Sequence, residues 1–215
     1  MKYNRTYHFP FSPGATSDDR IAPSVSRLIG VPIIGTEKLD GENTDEMTLG
    51  VYARSHAAFT ISPWSRAVRD LHARIGHQIP EGVHIFGENM EGIHSIEYER
   101  LRSYFYMFGI REEMNWLSWP EVEEYAFLFD LITVPVLFRG VVNTEKELKE
   151  LVEKLAKEPS ALGGKREGVV FRTEAGFPDT DFGECVLKWV REGHVQTDEH
   201  WTRNWKRAKL YFDGE

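Results

Sequence analysis

A short run beginning at Glu37 places a lysine, an aspartate and a glycine where covalent chemistry could occur. Lys38 is followed by Asp40 and Gly41, directly after a stretch that predicts a strand. A lysine amine is a nucleophile only after it loses the proton it holds at an intrinsic pKa of about 10.4, which requires desolvation or neighbouring positive charge. A glycine three residues later suits close approach of backbone to a ligand. The same letters also fit a solvated β-turn, so the run by itself leaves both interpretations open.

Further short blocks follow the lysine run along the chain. They are Arg54-Ser55, Phe86-Gly87-Glu88-Asn89, Phe105-Tyr106-Met107-Phe108, Glu167-Gly168-Val169-Val170-Phe171 and Val186-Leu187-Lys188-Trp189. Their order resembles that of the covalent nucleotidyltransferase superfamily, which contains DNA ligases, RNA ligases and mRNA capping enzymes. Each block alone could arise by chance, but the ordered set is a strong joint signal. The resemblance covers residues 31–191, most of the chain.

Within that superfamily the sequence most resembles the ATP-dependent RNA ligases that seal nicked RNA. Asn43 resembles an asparagine that this branch uses in sealing, and the aromatic block ending at Phe108 resembles another of its motifs. The resemblance implies transfer of AMP from ATP to a lysine, then to an RNA end, and finally joining of an RNA 3′-hydroxyl to a 5′-phosphate. DNA ligases match less well, since they normally carry a trailing oligonucleotide-binding domain that we do not expect after Arg191.

The resemblance also implies a role for each block. Lys38 would attack the α-phosphate of ATP, and Lys188 would contact the same phosphate and offset its developing charge. Arg54 would hold the ribose or a phosphate with its forked donors. Phe108 would stack on the adenine, although plain core packing is the competing interpretation.

Carboxylates complete the implied nucleotide site. Glu88 would accept from the ribose hydroxyls or reach a metal, and Glu167 would bind a divalent cation. Hard oxygen ligands suit Mg²⁺ or Mn²⁺. Glu37, Asp40 and Gly41 belong to the implied nucleotide-binding set as neighbours of the lysine.

Two positions depart from the family pattern. Gly109 stands where an aspartate usually follows the stacking phenylalanine, and Val190 stands where a second lysine often follows Lys188. Arg191 is adjacent to Val190 but is expected on the opposite face of a strand. These departures leave the roles of the two missing side chains without an assigned replacement.

The hydrophobic pattern predicts the elements that must position these residues. Short β-rich runs predict strands at 31–37, 48–53, 83–86, 104–108, 133–138, 168–172 and 186–190, and helical patterns occupy 63–75, 118–129 and 144–157. Thr144 with Glu147 three residues on has the spacing of a capping box. We therefore expect an α+β fold with mostly antiparallel sheets, and the resemblance implies a nucleotidyltransferase domain of the ATP-grasp-like ligase type.

Length and composition fit one globular domain. The chain has 215 residues, of which 41% are hydrophobic and 28% charged, enough for a core and too little biased for disorder. We expect one domain over 1–215, with a loop segment at 1–30, a motif-bearing core at 31–191, a tail at 192–215 and no accessory domain. The only cysteine, Cys185, excludes an intrachain disulfide. This and the lack of a membrane-spanning apolar run lead us to expect a cytoplasmic protein.

The charge distribution points to a local nucleic-acid contact. A net charge of −8 argues against nonspecific coating of nucleic acid. The tail reverses that sign, and Arg203 and Lys206 are candidate RNA contacts beside aromatic residues. Trp201 and Trp205, four residues apart, also fit a helix packed on the domain, which we favour. The segment around His94 could touch nucleic acid or metal, but such a histidine is more often incidental.

Two rival functions use the same fold. One is a noncatalytic nucleotide-sensing or RNA-end-binding protein, favoured by Gly109 and Val190. The other is a capping-type guanylyltransferase that would use GTP and the same lysine. An end-healing kinase or phosphatase is a possible partner of a ligase, because sealing needs a 5′-phosphate and a 3′-hydroxyl. The sequence leaves open whether the substrate is a nicked duplex, a broken tRNA or an RNA/DNA hybrid.

Overall fold

The structure, a computed structural model, describes residues 2–47, 49–54, 58–193 and 201–212. The strands are β1 (Tyr7–His8), β2 (Pro32–Lys38), β3 (Glu42–Met47), β4 (Gly50–Ala53), β5 (Val83–Asn89), β6 (Phe105–Glu112), β7 (Asn115–Trp116), β8 (Ile132–Thr133), β9 (Val136–Val141), β10 (Gly168–Thr173), β11 (Phe177–Pro178) and β12 (Val186–Val190). The α-helices are α1 (Arg66–Ile75), α2 (Trp119–Leu128), α3 (Glu145–Lys157) and α4 (Phe182–Cys185). Thr48, Ser55 and residues 194–200, which the sequence analysis used, lie outside the described residues.

Two sheets form the fold. The first has the strand order β1-β12-β10-β2-β9, and the second has the order β11-β7-β6-β5-β3-β4, with β8 paired to β6. Only the β1–β12 and β6–β8 pairs are parallel among the described strands. The predicted α+β class with mostly antiparallel sheets is therefore confirmed.

Helices cover the outer faces of both sheets. Buried residues of α3, such as Leu148 and Val152, pack with Val169 and Phe171 of β10. The helices α1 and α2 pack in the same way against the second sheet, where Ile85 and Met107 are fully buried. The area that these apolar side chains remove from water is what holds each sheet to its helices.

The helix starts follow their capping residues. Ser118 and Glu121 form a complete capping box at α2. At α3, Thr144 accepts from the Glu147 amide at 3.1 Å, but the Glu147 carboxylate accepts from the Asn143 amide at 2.8 Å instead of from Thr144. The N-cap predicted at Thr144 is thus present, but the reciprocal hydrogen bond of the capping box goes to the amide of the preceding residue, Asn143.

Several elements differ from the sequence expectations, and the short elements β7, β11 and α4 are among those that were not predicted. The polar strand β3 was not predicted, because its side chains carry no apolar alternation. The segment 1–30 was predicted as loop, but Tyr7–His8 pairs with β12 as β1. The single strand predicted at 133–138 is two strands, since β8 joins β6 while β9 joins β2. Pro135, which has no amide hydrogen for a ladder, lies between them.

The described part of the tail is attached to the second sheet's connecting loops by backbone bonds. The Ile93 amide donates to the Lys206 carbonyl oxygen at 2.9 Å, and the Ala208 amide donates to the Glu91 carbonyl oxygen at 2.9 Å. The ring of Trp205 lies 6.2 Å from that of Trp64. Trp201–Asn204 forms only a 3-10 turn, so the expected helix spanning both tryptophans is wrong over this stretch. No helix among the described residues has the length and apolarity to cross a membrane.

Candidate nucleotide-binding site

A cavity of about 530 Å³ lies between residues of the two sheets. Predicted site residues that line it are Glu37, Lys38, Gly41, Asn43, Arg54, Glu88, Phe108 and Lys188. One part of the lining is charged, and another is aromatic or aliphatic, with Trp116, Val170 and Phe182. A polar ligand with one flat apolar end fits such a division.

Lys38 and Glu167 meet through the register of the first sheet. Lys38 ends β2 and pairs with Gly168 of β10, so Glu167 lies immediately beside it. The Nζ of Lys38 donates to Glu167 Oε2 at 2.6 Å. The Lys38 side chain is 26% exposed and that of Glu167 only 6%, so the pair is largely shielded from water. A lysine held in this way lies within reach of a ligand in the cavity.

The carboxylates around Lys38 determine its protonation. Burial lowers the pKa of Lys38, but the negative charges of Glu167, Glu88 and Asp40 outweigh burial and raise it above the ordinary value. Burial in turn raises the pKa of Glu167, against the opposing charge of Lys38. Without a ligand the pair is therefore an ammonium hydrogen-bonded to a carboxylate, and nucleophilic chemistry requires that the ammonium lose its proton.

Glu88 lies across the cavity on β5, beside β3. Its Oε1 accepts from the Gly41 amide at 3.2 Å, and its strand partner is Asn43. Burial raises the pKa of Glu88 to about 8, with Glu167 adding to the shift and Lys38 opposing it. A carboxylate in this environment would be stabilised by an added cation.

Lys188 approaches the same cavity from β12. Its Nζ lies 3.6 Å from Asp19 Oδ1, a residue that the sequence analysis did not single out. Burial lowers the pKa of Lys188; the positive charges of Lys38 and Arg54 add to this effect and Asp19 opposes it. Arg54 itself is exposed, at the end of β4.

Phe108 lies at a bulge in β6. Phe86 pairs with Gly109 and Gly87 with Met107, which leaves Phe108 without a partner in the β5 ladder. The bulge interrupts the regular alternation of side chains between the two faces of β6 at Phe108. The bulge places a half-buried aromatic ring on the cavity wall.

The departure at Gly109 has a packing reason. A Cβ at this position would lie 3.3 Å from the Trp116 ring, which is tighter than most such contacts. Trp116 is almost fully buried and lines the cavity. Trp116 thus occupies the space that a longer side chain at position 109 would need. Val190, the other departure, is buried, and its amide donates to Ser12 Oγ at 3.0 Å.

Two predicted nucleotide-binding residues direct their carboxylates into the protein. Glu37 Oε2 accepts from the Ala161 amide at 2.9 Å and lies 3.6 Å from Arg166. Asp40 Oδ2 accepts from the amides of Ser95 and Ile96, each at 2.8 Å. One carboxylate oxygen of Glu37 therefore holds the loop at Ala161, and the Asp40 carboxylate anchors the loop that follows β5.

The loop around His94 has a structural task and also borders the cavity. Besides the bonds to Asp40, Tyr98 Oη accepts from the Asp40 amide at 2.9 Å. His94 is among the residues that line the cavity. The neighbours of His94 thus support the loop that carries Gly41, and a contact of His94 itself with nucleic acid or metal stays a prediction.

The predicted RNA contacts of the tail lie outside the cavity lining. Arg203 and Lys206 are both exposed, while the neighbouring Thr202 lines the cavity. Arg207 lies 3.1 Å from buried Glu91 and over the Tyr104 ring at 5.0 Å. Arg207 thus anchors the tail, and the side chains of Arg203 and Lys206 remain accessible to a ligand.

Sequence reasoning missed several residues that line the cavity. Tyr3 packs edge-on against Phe108 at 5.2 Å, and Arg172 of β10 is buried nearby with its pKa lowered by burial to about 10. Trp119 and Thr202 also contribute. Tyr3 and Thr202 fall outside the recognised blocks, whereas Arg172 follows one of them directly and could have been noticed.

The acidic residues near Lys38 suit a divalent cation. Among the described residues, no group of three or more His, Cys, Asp or Glu side chains is arranged to hold a metal. Burial raises the pKa values of both Glu88 and Glu167, the charge of Glu167 further raises that of Glu88, and the charge of Asp40 raises both; a cation between the two glutamates and a polyphosphate would relieve this repulsion. Mg²⁺ is often held by one or two carboxylates with substrate phosphates and water, so the pair fits such an ion.

Solved structures of an RNA ligase share this fold. A Naegleria gruberi RNA ligase, as a glutamate-to-alanine mutant with ATP and Mn, matches with TM-score 0.59 and 21% identity over 87% of this chain and 59% of that chain. An arginine-to-alanine mutant with ATP and Mn gives TM-score 0.62 and 21% identity over 91% and 57%. The form with PPi gives TM-score 0.56 and 21% identity over 89% and 60%. This chain thus spans about three fifths of the length of the ligase it matches.

The family assignment rests on a sequence match. No curated protein sequence matches the chain significantly. A family model described as RNA ligase, however, matches residues 31–190. This stretch contains Lys38, Glu88, Glu167 and Lys188 and every described strand of the two sheets except β1. The chain belongs to the RNA ligase family.

Proposed function

We propose that this chain is an ATP-dependent RNA ligase that forms a lysyl-AMP intermediate on Lys38. The observation that carries the proposal is the Lys38–Glu167 contact of 2.6 Å beside the cavity that Glu88 and Lys188 also line. The Naegleria gruberi relative with ATP and Mn supports nucleotide and metal use by this fold. A lysine between acidic groups and a second cation has the components for attack on a phosphate.

In the first step, Lys38 Nζ bonds to the α-phosphorus of ATP. The bond from that phosphorus to the bridging oxygen breaks, and pyrophosphate leaves with the electron pair. Before the attack, the Lys38 ammonium gives one proton to the Glu167 carboxylate, to which it is hydrogen-bonded, and Glu167 passes that proton to water; the nitrogen gives a second proton to water as the N–P bond forms. Lys188 offsets the charge that grows on the α-phosphate oxygens.

The base and the cation have separate places in this proposal. Phe108, on the aromatic part of the lining, stacks on the adenine. Glu88 and Glu167 would hold Mg²⁺ or Mn²⁺. Such an ion supplies positive charge to the polyphosphate, and its charge beside Lys38 favours the neutral amine.

In the later steps, the RNA 5′-phosphate attacks the lysyl-AMP and the RNA 3′-hydroxyl then displaces AMP. Asn43 lines the cavity beside Glu88 and is the proposed contact for the RNA end. Arg203 and Lys206 are exposed near Thr202 and are proposed to meet the RNA phosphates. An end-healing kinase or phosphatase remains a proposed partner that would supply suitable ends, and repair of broken RNA is the proposed setting.

Labelling with nucleotide separates this proposal from its rivals. The protein is incubated with Mg²⁺ or Mn²⁺ and radiolabelled ATP or GTP, and then with defined nicked and single-stranded RNAs. Label from ATP together with joined RNA is the expected result. Label from GTP would indicate a capping-type enzyme, and no label with either nucleotide would indicate a noncatalytic binding protein.

A further inference from the structure

The N-terminal segment wraps around the edge of β12 and reaches the cavity lysine. β1 pairs in parallel with β12, and His8 lies opposite Lys188. The Phe9 amide donates to Lys188 O at 2.8 Å, and the Gly14 amide donates to Val190 O at 2.9 Å. The chain then turns and brings Asp19 beside the Lys188 side chain. This segment precedes the residues matched by the family, 31–190.

The two carboxylate oxygens of Asp19 have different tasks. Oδ2 accepts from the Thr16 amide at 3.1 Å and from the Thr16 hydroxyl at 3.0 Å. Oδ1 lies 3.4 Å from His8 Nε2 and 3.6 Å from Lys188 Nζ. The turn at Thr16 therefore fixes the carboxylate, and its second oxygen is directed at the two basic side chains.

His8 is itself held in place. Its Nδ1 lies 2.9 Å from Ser12 Oγ, which accepts from the Val190 amide at 3.0 Å. Asp19, His8 and Ser12 thus form a connected polar chain along β12, on the side where Val190 replaces the family's second lysine. Such a chain keeps the anion at a fixed distance from Lys188.

Lys188 needs an anion at this position. The charged or titratable groups that act on it are His8 on β1, Asp19 in the turn, Lys38 on β2, Arg54 after β4 and Glu167 before β10. Burial and the nearby cations Lys38 and Arg54 favour the neutral amine of Lys188, while Asp19 opposes them. The Asp19 carboxyl is well suited to be that anion. Burial raises its pKa, but the hydrogen bonds from Thr16 and the positive charge of Lys188 outweigh burial and lower the pKa to about 2.

We propose that Asp19 is a positioning residue that keeps the Lys188 ammonium directed along the cavity wall and ready for the α-phosphate. The role of Lys188 at that phosphate rests on the proposed function, but the Asp19–Lys188 pairing does not. The N-terminal segment therefore completes the active site of the family core in this chain. A neutral Lys188 would offer the phosphate no charge, and a displaced one would offer it in the wrong place.

The pairing is tested by measuring the protonation of Lys188 itself. Competitive amine labelling across a pH series, read by mass spectrometry, gives the pH midpoint of Lys188 reactivity. Asp19→Asn keeps the size of the side chain and an oxygen for Thr16, so the turn is preserved. Asp18→Asn is the matched control, since Asp18 is exposed and next in sequence. We expect a lower midpoint in Asp19→Asn than in wild type, no change in Asp18→Asn, and partial recovery in Asp19→Glu. Equal midpoints in wild type and Asp19→Asn would overturn the pairing.

The positioning role of Asp19 in catalysis is tested by measuring single-turnover adenylation at saturating and limiting ATP. Asp19→Asn should reduce the maximum rate roughly tenfold, with a smaller change in the ATP concentration for half-maximum rate, because a charge-assisted contact to the transferred phosphate is weakened. Asp18→Asn should match wild type. A lowered Lys188 midpoint with an unchanged adenylation rate would overturn the positioning role. Absence of adenylation in the wild-type protein would instead contradict the proposed function, and the labelling result would still stand.

Discussion

Lys38 ends β2 and Glu167 immediately precedes β10, and the register of these two strands brings the two side chains into contact. Gly168 is opposite Lys38 in the β2–β10 pair, and the Glu167 carboxylate, one residue before, reaches Lys38 Nζ at 2.6 Å. A sheet register is rigid, because a slip by one residue would reverse every side chain on a strand. The nucleophile proposed here is therefore positioned by the same hydrogen bonds that hold the first sheet together.

Replacing Lys38 with Ala should abolish the labelled protein–AMP adduct and leave the fold intact. Lys38→Arg should fail as well, because a guanidinium keeps its proton and is a poor nucleophile. The measurement is gel detection of radiolabel after incubation with ATP, with circular dichroism to check folding. An adduct of normal yield on folded Lys38→Ala protein would show that another residue is the nucleophile.

Replacing Glu167 with Gln should weaken adenylation and change its metal requirement. The amide keeps the shape of the side chain but removes the charge proposed to hold a cation, so more Mg²⁺ or Mn²⁺ should be needed for half-maximum rate. Glu174→Gln is the control, because Glu174 directly follows the same strand β10 and its carboxylate is paired with Arg139 at 3.2 Å. A metal titration identical to that of wild type would mean that Glu167 is only a hydrogen-bond partner of Lys38 and does not hold the cation.

Adenylation should increase with pH, and Glu167→Gln should move that increase to lower pH. Only the neutral amine attacks, and the charges of Glu167, Glu88 and Asp40 raise the pKa of Lys38 against the effect of burial. Removal of one of these charges lowers the pKa of Lys38. The measurement is the single-turnover adenylation rate between mildly acidic and alkaline pH, at saturating metal. A midpoint that stays in place or rises in Glu167→Gln would contradict this account of the lysine's environment.

Replacing Phe108 with Leu should raise the ATP concentration for half-maximum adenylation roughly tenfold, since stacking of a base on an aromatic ring is worth about 1–3 kcal/mol. Leucine keeps apolar contact with the surrounding residues, so the melting temperature should fall only slightly. Phe108→Tyr should preserve ATP affinity. If the leucine variant loses stability but binds ATP normally, Phe108 is a packing residue only.

The buried Glu46 should make the protein less stable as pH rises. Burial, with help from Asp45, raises the pKa of Glu46 from 4.5 to about 8, so the folded state binds more protons than the unfolded state between these values. The free energy of unfolding should fall across that interval, and Glu46→Gln should reduce the fall by a few kcal/mol. Urea denaturation at several pH values measures this. Identical pH profiles for wild type and variant would mean that Glu46 is ionised in the folded protein.

The sequence predicted the residues proposed to carry the chemistry, but it did not predict all of their surroundings. The ordered blocks around Lys38, Glu88, Phe108, Glu167 and Lys188 could be identified because each is a local pattern of residue types. The strand β12 was predicted at its observed bounds, since a short apolar run bounded by charge is a local signal. The predicted α2 and α3 agree with the structure within a residue at each end, because their caps are local too.

Only the tertiary structure decided which distant residues share the cavity. Tyr3 packs on Phe108, which is about half the chain away in sequence, and Asp19 pairs with Lys188 across most of the length of the chain. No local pattern at Tyr3 or Asp19 indicates these contacts, since each arises from the pairing of β1 with the far strand β12. Glu37 and Asp40 are predicted members of the nucleotide site, and the tertiary structure shows that their carboxylates also anchor loops of the fold. The sequence by itself thus determined the family and the reactive residue types. The strand pairings decided which charges face the cavity, because pairing depends on contacts between segments that are far apart in sequence.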